Sequence, residues 1–254
     1  MKKNILYTFL LALALSVSSC LDKYPENAIL ADDAITTIDE ADQAVIGIYS
    51  SFLSGALYSG YLTLLPDIQT DLVYAVNGYT NTYGDIWRWN DILATNSQIE
   101  SVYAALYTVI GRCNFLLDNA ENMRKKMTDD DALDRLDVYC GEAYFARALA
   151  YSELIKQFCK AYESDADAQN ELGVVLRTHY YSDEPIKRAS LYDSYQQVLS
   201  DLELAEKALA LGDDYDIAVD GYMYNSTYFN EYTVCALRAR IALYMKKYDE
   251  AIQY

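Results

Sequence analysis

Two stretches of this chain, offset by 93 positions, carry one pattern. Ala143-Tyr144-Phe145-Ala146-Arg147 followed by Tyr151 reads A-x-x-A-R-x-x-x-Y, and so does Ala236-Leu237-Arg238-Ala239-Arg240 followed by Tyr244. Ser97 and Ser190, each opening a helical run, share the same offset. A repeat of this length built from helix pairs constrains the fold strongly. One pair cannot bury its own apolar face, and stacking successive pairs does. Small residues on the second helix of each pair allow close approach of its neighbour.

The apolar periodicity supplies the helices. Thr37-Ile38-Asp39-Glu40 is a capping box, followed at helical spacing by Ala41, Ala44, Val45, Ile48, Tyr49 and Phe52. Ser97-Gln98-Ile99-Glu100 reads as a second box, opening the stripe Ile99, Val102, Tyr103, Leu106, Val109, Ile110 and Cys113. A third helix is expected from Thr128, with Asp129, Asp130 and Asp131 in its first turn, where the helix dipole favours anions. Its stripe runs from Leu136 through Cys140, Ala143 and Tyr151 to Leu154. A fourth starts at Ser190, a fifth near Thr227 and a sixth near Tyr248. The segments 54–96 and 161–185 break the pattern. The first has room for a short helix over Leu62 to Val73, and the second is extended over Gly173 to Arg177. The expected fold is all-α, a superhelix of tetratricopeptide-like helix pairs with long decorating loops. Connections this long are usually functional.

Composition removes several classes of function. With 20 Lys+Arg against 38 Asp+Glu, the net charge is -18, and nothing in the chain neutralises a run of phosphates. Nucleic acid is therefore excluded as a partner. A single histidine, His179, argues against a catalytic triad or a His-ligated zinc site. Asp213, Asp214, Asp216 and Asp220 cluster before Gly221 without EF-hand spacing and read as a solvated turn. No catalytic residue, metal site or cofactor is expected. Apart from Cys20, four cysteines remain with no CxxC pair; Cys113 and Cys140 fall on apolar stripes and read as buried thiols. The unusual count is 26 Tyr against 6 Phe and 2 Trp.

The first 19 residues form a signal peptide. Lys2 and Lys3 precede an uncharged apolar run from Ile5 to Val17, too short for a bilayer span. Val17-Ser18-Ser19-Cys20 resembles the bacterial lipobox, which makes Cys20 the lipidated first residue of the mature domain, 20–254.

The succession of features resembles the SusD/RagB family of Bacteroidetes outer-membrane lipoproteins. It consists of the lipobox, Leu21-Asp22 and Pro25, and the helix through Tyr49. The spacing of Tyr103, Tyr107, Ile110, Cys113, Asn114 and Leu117 follows. Glu142 to Ala148 and Arg188 to Tyr192 complete it, ending in Asp201-Leu202. Lys246-Lys247-Tyr248-Asp249-Glu250-Ala251 is similar to a tetratricopeptide turn, one residue short. The chain departs from the family pattern near Gln98 to Ser101, where a Trp often precedes the Tyr helix. Its two tryptophans lie upstream instead.

The resemblance implies a non-enzymatic, surface-exposed, lipid-anchored protein of the outer membrane. It would bind oligosaccharide and deliver it to a SusC-like TonB-dependent transporter. Members are about twice as long, so the chain reads as an N-terminal half. The loop aromatics Tyr58, Tyr61, Tyr74, Tyr79, Tyr83, Trp87 and Trp89 suit such a ligand, because sugar rings present apolar C–H faces. Trp87, Trp89, Tyr83 and Asn90 are the expected glycan contacts, with Asp85, Arg88 and Asp91 nearby. The second aromatic group, Tyr222, Tyr224, Tyr228 and Phe229, is expected to pack the fifth helix. A tetratricopeptide scaffold that binds protein without sugar is the alternative. Replacing the lipidated residue, Cys20→Ser, should move the protein from the membrane to the soluble fraction on ultracentrifugation.

Overall fold

The computed structural model describes residues 34–70, 72–76, 83–90, 92–93, 95–183, 185–210 and 227–254. Cys20, Tyr79, Asp91, the Asp213–Asp220 cluster, Tyr222 and Tyr224 lie outside the described residues. The elements are α1 (Ile38–Phe52), α2 (Tyr61–Gln69), α3 (Gly84–Trp87), α4 (Ser97–Lys126) and α5 (Asp130–Phe158). They continue with α6 (Asp165–Asn170), β1 (Leu172–Val175), β2 (Arg188–Ser190), α7 (Leu191–Leu209), α8 (Glu231–Tyr244) and α9 (Tyr248–Gln253). No helix among the described residues is long and apolar enough to cross a membrane.

The helix starts follow local hydrogen-bond chemistry. Thr37 forms the expected reciprocal capping box with Glu40, and Ser190 accepts from the Asp193 N–H. Three starts move. Asn96, not Ser97, caps α4 through the N–H groups of Gln98 and Ile99. Asp129, not Thr128, caps α5, and Asn230, not a residue near Thr227, caps α8. In each case a carboxylate or amide side chain, stronger as a cap than or equal to the hydroxyl residue nearby, takes the role. The short helix after Tyr58 ends at Gln69, earlier than Val73.

Helices α4 and α5 form a long antiparallel hairpin joined through 127–129, and α1 lies across both. Helix α7 packs most extensively on α5, and α8 follows on α7. Every expected stripe residue of α5, from Leu136 to Leu154, is buried. Gly141 allows a close α5–α7 approach: a Cβ there would stand 2.8 Å from the Ala208 methyl. The one sheet among the described residues is the antiparallel pair β1–β2, in which Leu172 faces Ser190. Gly173 permits this hairpin to press on α7, since a Cβ would collide with Ser194 Oγ at 2.1 Å. The four described cysteines are free, with Cys113 and Cys140 buried.

The repeated arginine of both 93-offset segments pairs with a buried carboxylate on another helix, but Arg147 is itself buried whereas Arg240 is exposed. Arg147 on α5 reaches Asp201 on α7 in a buried bidentate pair, Nη2–Oδ1 2.6 Å and Nε–Oδ2 2.8 Å. Arg240 on α8 reaches the buried Glu153 of α5 at 3.3 Å. The copies differ in cover: Ala143 and Ala146 are buried, whereas Ala236 is exposed. Burial pushes the Asp201 carboxyl above its ordinary value, and Arg147 and Gln197 draw it back. Arg147 also donates to Asn114 Oδ1 at 2.7 Å and to the Thr178 carbonyl at 3.2 Å.

Of the second aromatic group, the described Tyr228 and Phe229 meet rings of α1 and α5 rather than only the fifth expected helix. Phe229 stacks on Tyr49 of α1 at 4.6 Å and meets Phe145 of α5 at 4.4 Å. Its N–H donates to the Tyr49 hydroxyl at 2.7 Å, and that hydroxyl donates to Glu142. Burial pushes the Glu142 carboxyl up to about 7, with Tyr49 opposing the shift and Asp42 adding to it.

Two outcomes are expected. Arg147→Ala strands the buried Asp201 and should cost about 3–5 kcal/mol in urea denaturation, whereas Arg147→Met with Asp201→Leu should cost much less. For Glu142, the folded state holds its proton to higher pH than the unfolded chain, so its contribution to stability falls as pH rises from about 4.5 to about 7. Glu142→Gln should remove that slope, measured as the difference in urea midpoint from wild type between pH 5 and pH 8.

Candidate functional site

The expected contact residues lie on and immediately around a single helical turn, α3, which itself holds only Trp87. Positive φ brackets it on both sides: Tyr83, its N-cap, has φ 64°, and Trp89, two residues past its end, has φ 53°. Among the described residues only Lys246 shares this left-handed geometry without being glycine. Such strain in a non-glycine residue persists only where the surroundings enforce it. Here the buried Ile86 pins the turn to the core. The Trp89 N–H donates to the Ile86 carbonyl at 3.1 Å, and the Asn90 N–H to the Asp85 carbonyl at 2.9 Å.

This geometry separates the two tryptophans. Trp87, still helical, is half-buried against the core and lies 6.4 Å from the Tyr74 ring. Trp89, turned outward by its left-handed backbone, is 65% exposed. Its indole N–H donates to the Gln69 carbonyl at 3.1 Å, which fixes the ring's orientation without covering its face. Tyr83 is half-buried and edge-on to Tyr61 at 6.2 Å. Burial and Tyr61 raise its hydroxyl above the ordinary value. Asn90 is exposed beside Trp89, and Arg88 pairs with Asp85 at 3.2 Å. Tyr58 belongs elsewhere: its hydroxyl donates to Glu153 at 3.2 Å.

Beside Trp89 opens a cleft of about 270 Å³ between α2, the residues after α3, the start of α4 and the end of α5. Leu62, Leu65, Ile86 and Val102 form an apolar floor, and the amides of Gln69 and Gln157 stand with Tyr61, Leu93 and Phe158 around it. Gln69 joins the two features, since its carbonyl holds Trp89 and its residue lines the cleft. An apolar floor with a few polar side chains is the usual composition of a small-molecule site, and this one falls just below the usual range of about 300–1,000 Å³. None of the four expected contacts lines the cleft itself. Gln69, Gln157 and Phe158 carry no signal in sequence, because Gln69 comes from α2 and the other two from the distant end of α5. No group of three or more metal-ligating side chains occurs among the described residues.

Comparison with known proteins places this architecture. Residues 21–243 match the SusD-like family described as starch-binding, associating with outer membrane. The chain belongs to that family. A SusD-like protein of Formosa agariphila is 24% identical over 214 residues, 81% of this chain and 37% of the relative. A SusD superfamily structure from Bacteroides fragilis superposes with a TM-score of 0.70 at 22% identity, covering 87% of this chain and 49% of that one. A putative sugar binding protein from Bacteroides vulgatus gives 0.66 at 23% identity, with 87% and 45% covered. The chain thus spans less than half the length of these relatives.

Proposed function

We propose that this chain is the sugar-capturing part of an outer-membrane lipoprotein that binds oligosaccharide and passes it to a SusC-like TonB-dependent transporter. The observation that carries the reading is Trp89: an open ring, held by Gln69 and by a strained backbone, at the side of an apolar cleft. Ordering a side chain before its ligand arrives reduces the cost of binding. A sugar ring stacks its C–H face on the indole, while Asn90 and the glutamine amides bond the hydroxyls. The contacts are neutral, so binding is expected to depend little on salt. A handful of such contacts gives a dissociation constant of about micromolar to millimolar, weak enough for the ligand to be handed on. Attachment at Cys20 would keep the site at the membrane. Family membership and the aromatic cleft both support this reading, and the process is binding rather than catalysis.

The test compares two variants of the full chain against starch-derived and other neutral oligosaccharides. Trp89→Ala should leave stability within about 0.5 kcal/mol of wild type and abolish detectable binding in calorimetry. Trp87→Ala should lower stability by about 1–3 kcal/mol, because it removes packing. Unchanged binding in a folded Trp89→Ala protein would refute the assignment.

A further inference from the structure

Far from the cleft, the loop after β1 carries His179, Tyr180 and Tyr181 into solvent. Tyr181 is 73% exposed and Tyr180 46%. The backbone beneath them is held from the interior at successive residues. The Tyr151 hydroxyl donates to the Arg177 carbonyl at 2.7 Å, and Asn114 Nδ2 donates to it at 2.9 Å. Arg147 holds the Thr178 carbonyl at 3.2 Å, and Asn114 Nδ2 also reaches the His179 carbonyl at 3.3 Å. Asp118 uses both oxygens, one for the Tyr180 N–H at 2.8 Å and one for His179 Nδ1 at 2.9 Å. The Arg177 guanidinium closes the loop by donating to the Ser182 carbonyl at 3.2 Å.

The rings form a stepped surface. Tyr180 stands edge-to-face on Phe115 at 5.0 Å, and Tyr181 meets Tyr180 at 4.8 Å and 77°. With its hydrogen directed from Nδ1 to Asp118, His179 offers Nε2 as an acceptor. Packing does not require this arrangement, since Tyr181 has little to pack against. Rigid exposed aromatics beside hydrogen-bonding groups are the features of a preordered recognition surface.

We propose that Tyr180, Tyr181 and His179 form a second carbohydrate platform that engages a remote segment of the same neutral polysaccharide held at the Trp89 cleft. The joint engagement rests on the reading of that cleft as a sugar site. Phe115 and Asp118 lie 13 and 16 positions beyond Val102, the last α4 residue lining the cleft, which is about 20–24 Å along the helix at 1.5 Å per residue. A short oligosaccharide occupies one platform, whereas a polymer reaches both. Two linked weak contacts raise apparent affinity without any new interaction.

The test uses the full chain in affinity electrophoresis through gels containing starch, xylan, mannan or laminarin. A tetrasaccharide of the retained polymer is titrated in parallel. Tyr180→Ala with Tyr181→Ala should weaken binding of the retained polymer by at least about tenfold. Its tetrasaccharide affinity, followed by tryptophan emission, should change less than twofold. Tyr181→Ala alone, at a 73% exposed position, guards against misfolding and should give part of the loss. Tyr180→Phe with Tyr181→Phe should preserve most of the binding. Wild-type polymer affinity in the folded Ala variants would overturn the platform. Loss of polymer binding in the tyrosine variants but not in Trp89→Ala would support the platform and refute the cleft. No retardation of the wild type in any gel would overturn both.

Discussion

The buried pair of Arg147 with Asp201 is the contact on which the placement of the other elements depends. Burial of two charges is unfavourable unless geometry and further hydrogen bonds compensate. Here both guanidinium edges are occupied: Asp201 takes one side in bidentate fashion, and Asn114 and the Thr178 carbonyl take Nη1. Gln197 adds a bond to Asp201 at 3.0 Å. Three helices and one loop therefore converge on a single side chain. A shift of α7 along α5 would break the bidentate fork, so the pair sets the register of the helix packing as well as the path of the chain after β1.

Tyrosine usage follows from the same need to satisfy loop backbone inside a helical fold. A Tyr hydroxyl has one hydrogen to give and lone pairs to receive, so it can bracket both polar groups of one residue. Tyr107 does this for Val175, accepting its N–H at 3.0 Å and donating to its carbonyl at 2.9 Å. Tyr151 does the same for Arg177, with both bonds at 2.7 Å. Tyr49 joins the Phe229 N–H to Glu142. Phenylalanine in these places would fill the space and leave buried peptide groups unpaired. These three tyrosines thus serve as anchors for irregular segments, while others, such as Tyr74 and Tyr181, remain open to solvent.

How much of this was legible in sequence depends on the range of the interaction. Most helices were, because apolar spacing and caps such as Thr37 and Ser190 are local; the short α3 and α6, inside the segments 54–96 and 161–185, were not. Boundaries shifted where two capping residues compete within a few positions, as at Asn96 and Ser97. The extended run at Gly173 was visible, but its partner strand, three residues leading into the Ser190 cap, was too short to declare itself. At the site, Trp87, Trp89, Tyr83 and Asn90 fall in one small region. Their sidedness was not legible. Helical spacing puts Trp87 and Asn90 on one face, yet the helix stops at Trp87 and the left-handed Trp89 reverses the direction in which the chain projects. The cleft residues Gln157 and Phe158 arrive from α5, about seventy positions away, and no local pattern points to them.

The contrast between the two indoles has an optical consequence. The chain holds only two tryptophans, and its own emission therefore divides into two environments. Trp87, packed beside Tyr74, is the shielded fluorophore. Trp89, open to water, is the redder one and the one a dissolved quencher meets. Anything that settles on the Trp89 ring changes the second component and leaves the first in place, so this protein carries an internal reference and an internal probe within three residues.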